Sequence, residues 1–299
     1  MNVGAVDIGT NSVRLLVTDT QGRELTRQMH ITRLGQGVDD HGRLAEEAIT
    51  RTTDVLGRYR AALAEHGVER VRATATSAAR DADNSEAFFD AAQAALGHRP
   101  ELLPGEEEAA LSFAGATADL DPSLAPFLIF DIGGGSTEFV LGTERPEALI
   151  STDMGCVRMT ERFLHSDPPT STEIEACTGQ VSTILEDVRS AMDVGSARTL
   201  VGLAGTVTTL GSMAKGLERY DPSQTHGMAL STATVESLFE QLASVDVEAR
   251  RDLLLEPQRA EVIVGGAAVL RTILREFGAE SLIVSESDIL DGLAASLRG

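Results

Sequence analysis

The chain has 299 residues, 42% of them hydrophobic, enough for one large or two medium domains with real cores. A formal net charge of −21, with 4% aromatics and no Trp, excludes a general nucleic-acid binder that neutralises backbone phosphates or stacks bases. A small polyanionic substrate stays compatible with that charge if the site is locally positive or holds a cation.

The first predicted strand, Asn2–Ile8, ends in Asp7-Ile8-Gly9-Thr10-Asn11-Ser12 and is followed by a second, β-rich run to about residue 19 and a third over 24–33. A helix follows over 44–66. Ala48, Val55, Leu56, Tyr59 and Leu63 form its apolar face, and Gly67 stops it. After a strand at Val68–Ala75, Asp83-Asn84-Ser85-Glu86 has capping-box spacing and opens another helix. A short strand near 101–103 and a helix over 106–118 complete a βββαβαβα half. The linker falls near Asp119-Leu120-Asp121-Pro122.

The pattern then returns. Phe127–Ile132 ends in Asp131-Ile132-Gly133-Gly134-Gly135-Ser136, 124 residues after the first motif. Strands over 137–142 and 147–153 follow, then helices over 157–164 and 171–192, a strand over 198–203 and a helix from about Thr206. A largely helical insertion covers 232–277 before a strand at 281–285 and a last helix over 288–297. A repeat on this scale implies an α/β protein of two similar domains, residues 1–120 and 121–299, with the terminal segment 288–299 able to pack on the first.

Cys156 and Cys177 belong to no paired motif, so neither a zinc site nor a disulfide is expected, and a reducing cytoplasmic setting fits. No leader pattern and no span of 18 apolar residues is seen, so no membrane partner is expected. Lys215 is the only lysine. Compositional bias explains the Arg excess most simply, although Arg also suits bidentate phosphate contacts.

A strand–turn–strand loop rich in glycine brings backbone N–H groups close to a phosphate. Gly133, Gly134 and Gly135 supply such a surface, with Ser136 adding a hydroxyl; Thr10, Asn11 and Ser12 do the same in the first copy. One such loop alone reads as a tight turn, whereas two at matching positions of a repeat read as phosphate loops facing a shared cleft. Asp7 and Asp131, at strand ends, can reach a hydrated Mg²⁺. Gly205 and Thr206 join a strand to a helix and can bind an anion at its N-terminus, the plain alternative being an N-cap at Thr206. Arg80 follows a strand and suits a phosphate clamp, the alternative being a surface ion pair. Glu106, Glu107 and Glu108 open a helix. The dipole accounts for part of that run, and at 100° per residue only one or two can face a site. Val264-Gly265-Gly266 lies in an apolar helical stretch and reads as close helix packing.

With VDIGTNSVRLLV, ATATSAARDADN, PGEEEAALSF, FDIGGGSTEFV, GLAGTVTTL, RAEVIVGG and SESDILDGLA, the chain resembles the exopolyphosphatase/guanosine pentaphosphate phosphohydrolase (Ppx/GppA) family in its short two-domain form. That resemblance implies two ribonuclease-H-like domains of the actin-like ATPase superfamily with the active site in the interdomain cleft. It places the catalytic glutamate at Glu108, a second essential carboxylate at Glu138 and the family arginine at Arg80. Glu261 stands where Asp is expected, a minor departure.

The implied activity is hydrolysis of the terminal phosphoanhydride of inorganic polyphosphate. Glu108 would act as base and Mg²⁺ (or Mn²⁺) would sit near Asp7, Asp131 and Glu138. The rivals are pppGpp 5′-phosphohydrolysis, an ATP-dependent kinase and a non-catalytic sensor of polyphosphate or an alarmone such as pppGpp or ppGpp. A homodimer is a family expectation.

Overall fold

The computed structural model describes residues 1–298. By packing, the chain divides into Met1–Gly115 together with the chain end from Ile289, and Ala116–Asp288.

In the first unit, β1 (Asn2–Ile8), β2 (Ser12–Thr18) and β3 (Glu24–Ile31) form an antiparallel meander. α1 (Val38–His41) and α2 (Glu46–Glu65) lead to β4 (Val68–Ala75), which runs parallel to β1. α3 (Ser77–Arg80) and α4 (Ser85–Leu96) lead to β5 (Glu101–Leu102), parallel to β4, and α5 (Gly105–Thr117) follows. The sheet order is β3-β2-β1-β4-β5. Both faces of β1 are covered, so it reads as a nearly continuous apolar run. Val6, Ile8, Val13, Leu15 and Val17 pack with α2 and α4 through Val55, Leu56, Tyr59 and Phe88. Ala5 and Leu16 face the other way, onto Leu103 and onto Ile289, Leu290 and Leu293 of the final helix, Ile289–Ser296.

The second unit repeats this plan. β6 (Phe127–Ile132), β7 (Thr137–Gly142) and β8 (Pro146–Thr152) form the meander, and α6 (Cys156–Phe163) and α7 (Ser171–Ala191) precede β9 (Thr199–Leu203), parallel to β6. α8 (Ala204–Lys215), α9 (Pro222–Thr225) and β10 (Ala229–Ser231) come next, then α10 (Thr232–Ala243), α11 (Val247–Leu253), α12 (Ile263–Glu276) and β11 (Ser281–Val284). The order β10-β11-β9-β6-β7-β8 matches the first sheet with β10 added antiparallel on the edge. Two ribonuclease-H-like units, each opening on an antiparallel meander, are the expected fold. The helical insertion resolves into α10, α11 and α12. α12 is buried along most of its length and packs through Gly265 against Cys156 and Thr160 of α6, so the Val264-Gly265-Gly266 run is a helix-packing surface. Among the described residues no helix is long and apolar enough to cross a membrane.

Two local expectations need correction. Asn84 precedes α4, but its side chain caps nothing. Its amide instead accepts from Leu44 N–H at 2.8 Å and donates to Leu44 C=O at 2.9 Å, satisfying a loop residue's donor and acceptor together. A complete capping box occurs at α7, between Thr170 and Glu173. β10 was not anticipated; three residues carry too little pattern to separate from the flanking loop.

Arg250 is 3% exposed and holds the insertion together. It donates to the carbonyls of Leu242 (2.8 Å), Val245 (2.7 Å) and Ala260 (2.9 Å) and to Asp167 (3.0 Å). Burial lowers its pKa, and Asp167 works against that shift. Arg250→Met keeps the aliphatic bulk but leaves two buried carbonyls, of Leu242 and Ala260, without this donor, at about 1–3 kcal/mol each. The expected loss is about 2 kcal/mol or more, read as a lower midpoint in urea unfolding with unchanged slope; a loss below about 1 kcal/mol would contradict it.

Candidate functional site

The first hairpin of each sheet closes in the same turn. Gly9 N–H donates to Ser12 C=O at 2.9 Å, and Gly133 N–H to Ser136 C=O at 3.0 Å. In both loops the carbonyls are held by donors from a following segment. Thr10 C=O accepts from Gly35 N–H (2.8 Å), and Asn11 C=O from Thr32 (3.0 Å) and Arg33 (2.9 Å). In the second unit Gly133 C=O accepts from Cys156 N–H (2.9 Å), Gly134 C=O from Val157 (2.9 Å) and Arg158 (3.2 Å), and Gly135 C=O from Arg158 Nε (2.7 Å). The C=O and N–H of a trans peptide point to opposite sides, so anchoring one aims the other away. The N–H groups of Asn11, Gly134, Gly135 and Ser136 make no hydrogen bond among the described residues. Rows of outward N–H groups of this kind receive anions.

The Asn11 side chain is 6% exposed, and neither its Oδ1 nor its Nδ2 has a partner. Buried amides are seldom left so, and a ligand at the loop accounts for it. Thr10 behaves differently. Its hydroxyl lies 2.8 Å from Ser77 Oγ and ties the loop to α3. Ser136 is buried and Ser12 half-buried.

The three glutamates at the start of α5 are separated by their surroundings. Glu106 is exposed. Glu107 is 47% exposed at the side chain and pairs with Arg72 at 2.6 Å, and Arg72 also holds Glu101. Glu108 is 12% exposed, with its Oε2 3.9 Å from Arg80 Nη1. Arg80 also donates to Leu103 C=O at 3.4 Å. The sequence candidates for base and clamp therefore lie side by side, at the start of α5 and the end of α3. At 3.9 Å the pair leaves the guanidinium room to hydrogen-bond an incoming anion.

In the second unit α8 begins directly from β9, and Ala204 takes φ +66° to make the turn. Ala204 and Arg33 are the two non-glycine residues with positive φ among those described, and strain of this kind collects at functional sites. Arg33 adjoins the first loop through its bond to Asn11. Gly205 lies so close to Arg259 that a Cβ there would overlap the guanidinium. Arg259 is held by Glu256 at 2.5 Å and adds fixed positive charge to the N-terminus of α8. Arg259 was missed as a site residue: it lies within the helical insertion, beyond α10 and α11, and its only sequence signal is its place in RAEVIVGG. Thr206 is buried in the first turn of α8, at the third helical position and not at an N-cap. Its side chain packs against Gly266, where Cys156 also lies. Burial pushes the Cys156 thiol up to about 11, so it stays protonated.

The two hairpins differ in charge at one register position. Asp7 lies opposite Arg14 across β1 and β2, and its Oδ2 accepts from Arg14 Nη2 (2.7 Å) and Nε (3.1 Å). Asp131 lies opposite Glu138 across β6 and β7, and both are buried, at 7% and 2% exposure. Ser151, opposite Glu138 on β8, donates to its Oε1 at 2.8 Å. Like charges directly opposite on a ladder repel. Two buried oxygen-donor groups oriented by a neighbouring hydroxyl suit Mg²⁺ or Mn²⁺, which takes one or two carboxylates and completes its shell with water and phosphate oxygens. The Asp131–Glu138 pair therefore fits a divalent ion, whereas Asp7 is already neutralised by Arg14. No group of three or more His, Cys, Asp or Glu side chains able to hold a metal occurs among the described residues.

Residues 16–297 match the Ppx/GppA phosphatase family. Exopolyphosphatase 2 of Mycobacterium tuberculosis is 45% identical over a 314-residue alignment covering 99% of this chain and 98% of that protein. The guanosine-5′-triphosphate,3′-diphosphate pyrophosphatase of Vibrio vulnificus is 30% identical over 297 residues, covering 97% of this chain and 58% of that protein. A solved exopolyphosphatase-like protein, 36% identical, superposes with a TM-score of 0.96 over 100% of this chain and 99% of that one. Likeness of this extent, running through both sheets and both hairpin loops, means that the chain belongs to the Ppx/GppA phosphatase family.

Proposed function

We propose that the chain is an exopolyphosphatase, a phosphoanhydride hydrolase that removes orthophosphate from the end of inorganic polyphosphate. The observation that carries this reading is the 45% identity to an exopolyphosphatase along 98% of that protein's length. The site chemistry agrees with it. Glu108 is the base that takes a proton from the attacking water, and Arg80 beside it meets charge developing on the phosphoryl oxygens. In the second unit the outward N–H groups of Gly134, Gly135 and Ser136 and the Arg259-flanked N-terminus of α8 are phosphate-binding groups, and in the first unit the Asn11 amide is another. Asp131 and Glu138 would hold Mg²⁺ or Mn²⁺, which supplies charge neutralisation at phosphate oxygens when bound.

A second reading, removal of the 5′-terminal phosphate of pppGpp, draws on the 30% identity to the Vibrio vulnificus pyrophosphatase. Both reactions cleave a terminal phosphoanhydride, so the same groups serve either. Phosphate release from polyphosphate, pppGpp and ATP, each with and without Mg²⁺, tests the proposal. Polyphosphate should be turned over fastest. Preference for pppGpp reverses the order of the two readings, preference for ATP points to kinase-like chemistry, and binding without release points to a sensor.

Three outcomes follow from the assigned roles. Glu108→Gln should retain fold and polyphosphate binding while turnover falls by about 10²–10⁴-fold. Near-normal rates in this variant with a dead Glu107→Gln would move the base. Arg80→Ala removes a charge-assisted contact and should lower kcat/KM by at least about tenfold, equally for polyphosphate and pppGpp, with Arg80→Lys restoring only part. Unchanged hydrolysis in Arg80→Ala would reduce Arg80 to an ion-pair residue. Chelation should abolish activity, and added Mg²⁺ or Mn²⁺ should return it; full turnover in excess EDTA would remove the metal from the reaction.

A further inference from the structure

We infer that Thr32 and Arg51, together with the Asn11 amide, form a distal phosphate subsite in the first unit, which grips the polyphosphate chain behind the end being cleaved. The inference rests on the reading that the substrate is polyphosphate, and adds where the uncleaved part is held.

The subsite is built where β2 and β3 meet the first loop. Their ladder ends at Ser12↔Ile31, and the next residue on each side, Asn11 and Thr32, lie opposite one another. Thr32 and Arg33 both donate to Asn11 C=O, at 3.0 and 2.9 Å, so two residues oppose one in a bulge, and Arg33 takes φ +51° to make it. Thr32 is 2% exposed and its hydroxyl has no partner; the Asn11 amide has none at either end. Facing residues of a strand pair thus leave three buried polar atoms unbonded, each costly to leave so. The third group comes from α2. Arg51 Nε donates to Thr32 C=O at 3.0 Å, which fixes the guanidinium beside the bulge, and its two Nη groups make no hydrogen bond or ion pair among the described residues. A hydroxyl, an amide and a guanidinium offer several donors and one fixed positive charge, a set that suits phosphate oxygens.

The place of the subsite follows from a run of hydrogen bonds through the first loop. Thr10 is bonded to Ser77, which opens α3, and Arg80 closes α3 beside Glu108. On the other side of Thr10, Asn11 is bonded to Thr32 and Thr32 to Arg51. Arg80 and Arg51 stand at opposite ends of this run. A chain whose last phosphate lies at Arg80 therefore meets Arg51 only with a phosphate further back, and a short substrate ends before it.

Calorimetry in a full-length Glu108→Gln background, where substrate is held and not consumed, tests this with tripolyphosphate and with a long polyphosphate of defined length. Adding Arg51→Gln should weaken binding of the long chain by at least about tenfold and of tripolyphosphate by less than about threefold. Adding Thr32→Val replaces the hydroxyl by a methyl of similar shape. It should weaken the long chain by about threefold or more while the ligand-free Tm holds or rises, because an unbonded buried hydroxyl is removed. Arg58→Gln, two turns along α2, removes the same charge outside the subsite and should change neither substrate. Long-chain binding unchanged in Arg51→Gln, equal losses for both lengths, or an equal loss in Arg58→Gln would overturn the inference. So would a lower Tm with unchanged binding in Thr32→Val, which marks a buried water as the hydroxyl's partner. Failure of the Glu108→Gln background itself to bind either substrate would instead overturn the polyphosphate reading beneath.

Discussion

Backbone donors hold down the carbonyls of both hairpin loops: Thr32, Arg33 and Gly35 in one unit, and Cys156, Val157 and Arg158 in the other. Without that anchoring the peptide planes could rotate and present carbonyl oxygen to a phosphate, which repels it. With it, a row of N–H groups is fixed before substrate arrives, and the ordering cost falls on folding and not on binding. The sheets exist, for this purpose, to bring the anchoring donors to the loops. β3 carries the chain back to 32–35, and β8 delivers it to the first turn of α6.

Charge completes what the backbone begins. A chain of net charge −21 repels a polyanion at long range, so attraction must be local. The cations among the candidate residues are individually held: in the first unit Arg80 near Glu108 and Arg14 on Asp7, and in the second Arg259 on Glu256 over the start of α8. Each has an acidic partner that orients it. Arg80 is the most loosely held of the three, its nearest carboxylate oxygens 3.9 Å away, which suits a group that must follow charge as it moves during the reaction.

Much of this was legible in the sequence because repetition made it so. The two DIGxxS motifs gave the duplicated sheet and the two loops, while Glu138 came from the family resemblance and its place opposite Asp131 from the structure. What was not legible depends on three-dimensional neighbours. Glu107 and Glu108 are adjacent and chemically identical, and only Arg72 and Arg80 tell them apart. Arg259 reaches Gly205 from within the insertion, with no periodic link in sequence between them. Asn84 has a capping residue's identity, but Leu44 offers it a better match than the helix does. Thr10 and Thr206 have the right hydroxyls in the right motifs, yet Ser77 takes the first and the second is buried against Gly266 of α12. Asp7 looked equivalent to Asp131 until the residue across the ladder from each was compared.

Cleavage from the chain end distinguishes an exopolyphosphatase from any other enzyme that breaks phosphoanhydrides. Polyphosphate of one defined length, incubated with the protein and Mg²⁺ and resolved by gel over time, tests this directly. Products should step down by single phosphates, with orthophosphate accounting for all the phosphate lost. Internal fragments of intermediate length at early times, or no orthophosphate at all, would contradict it.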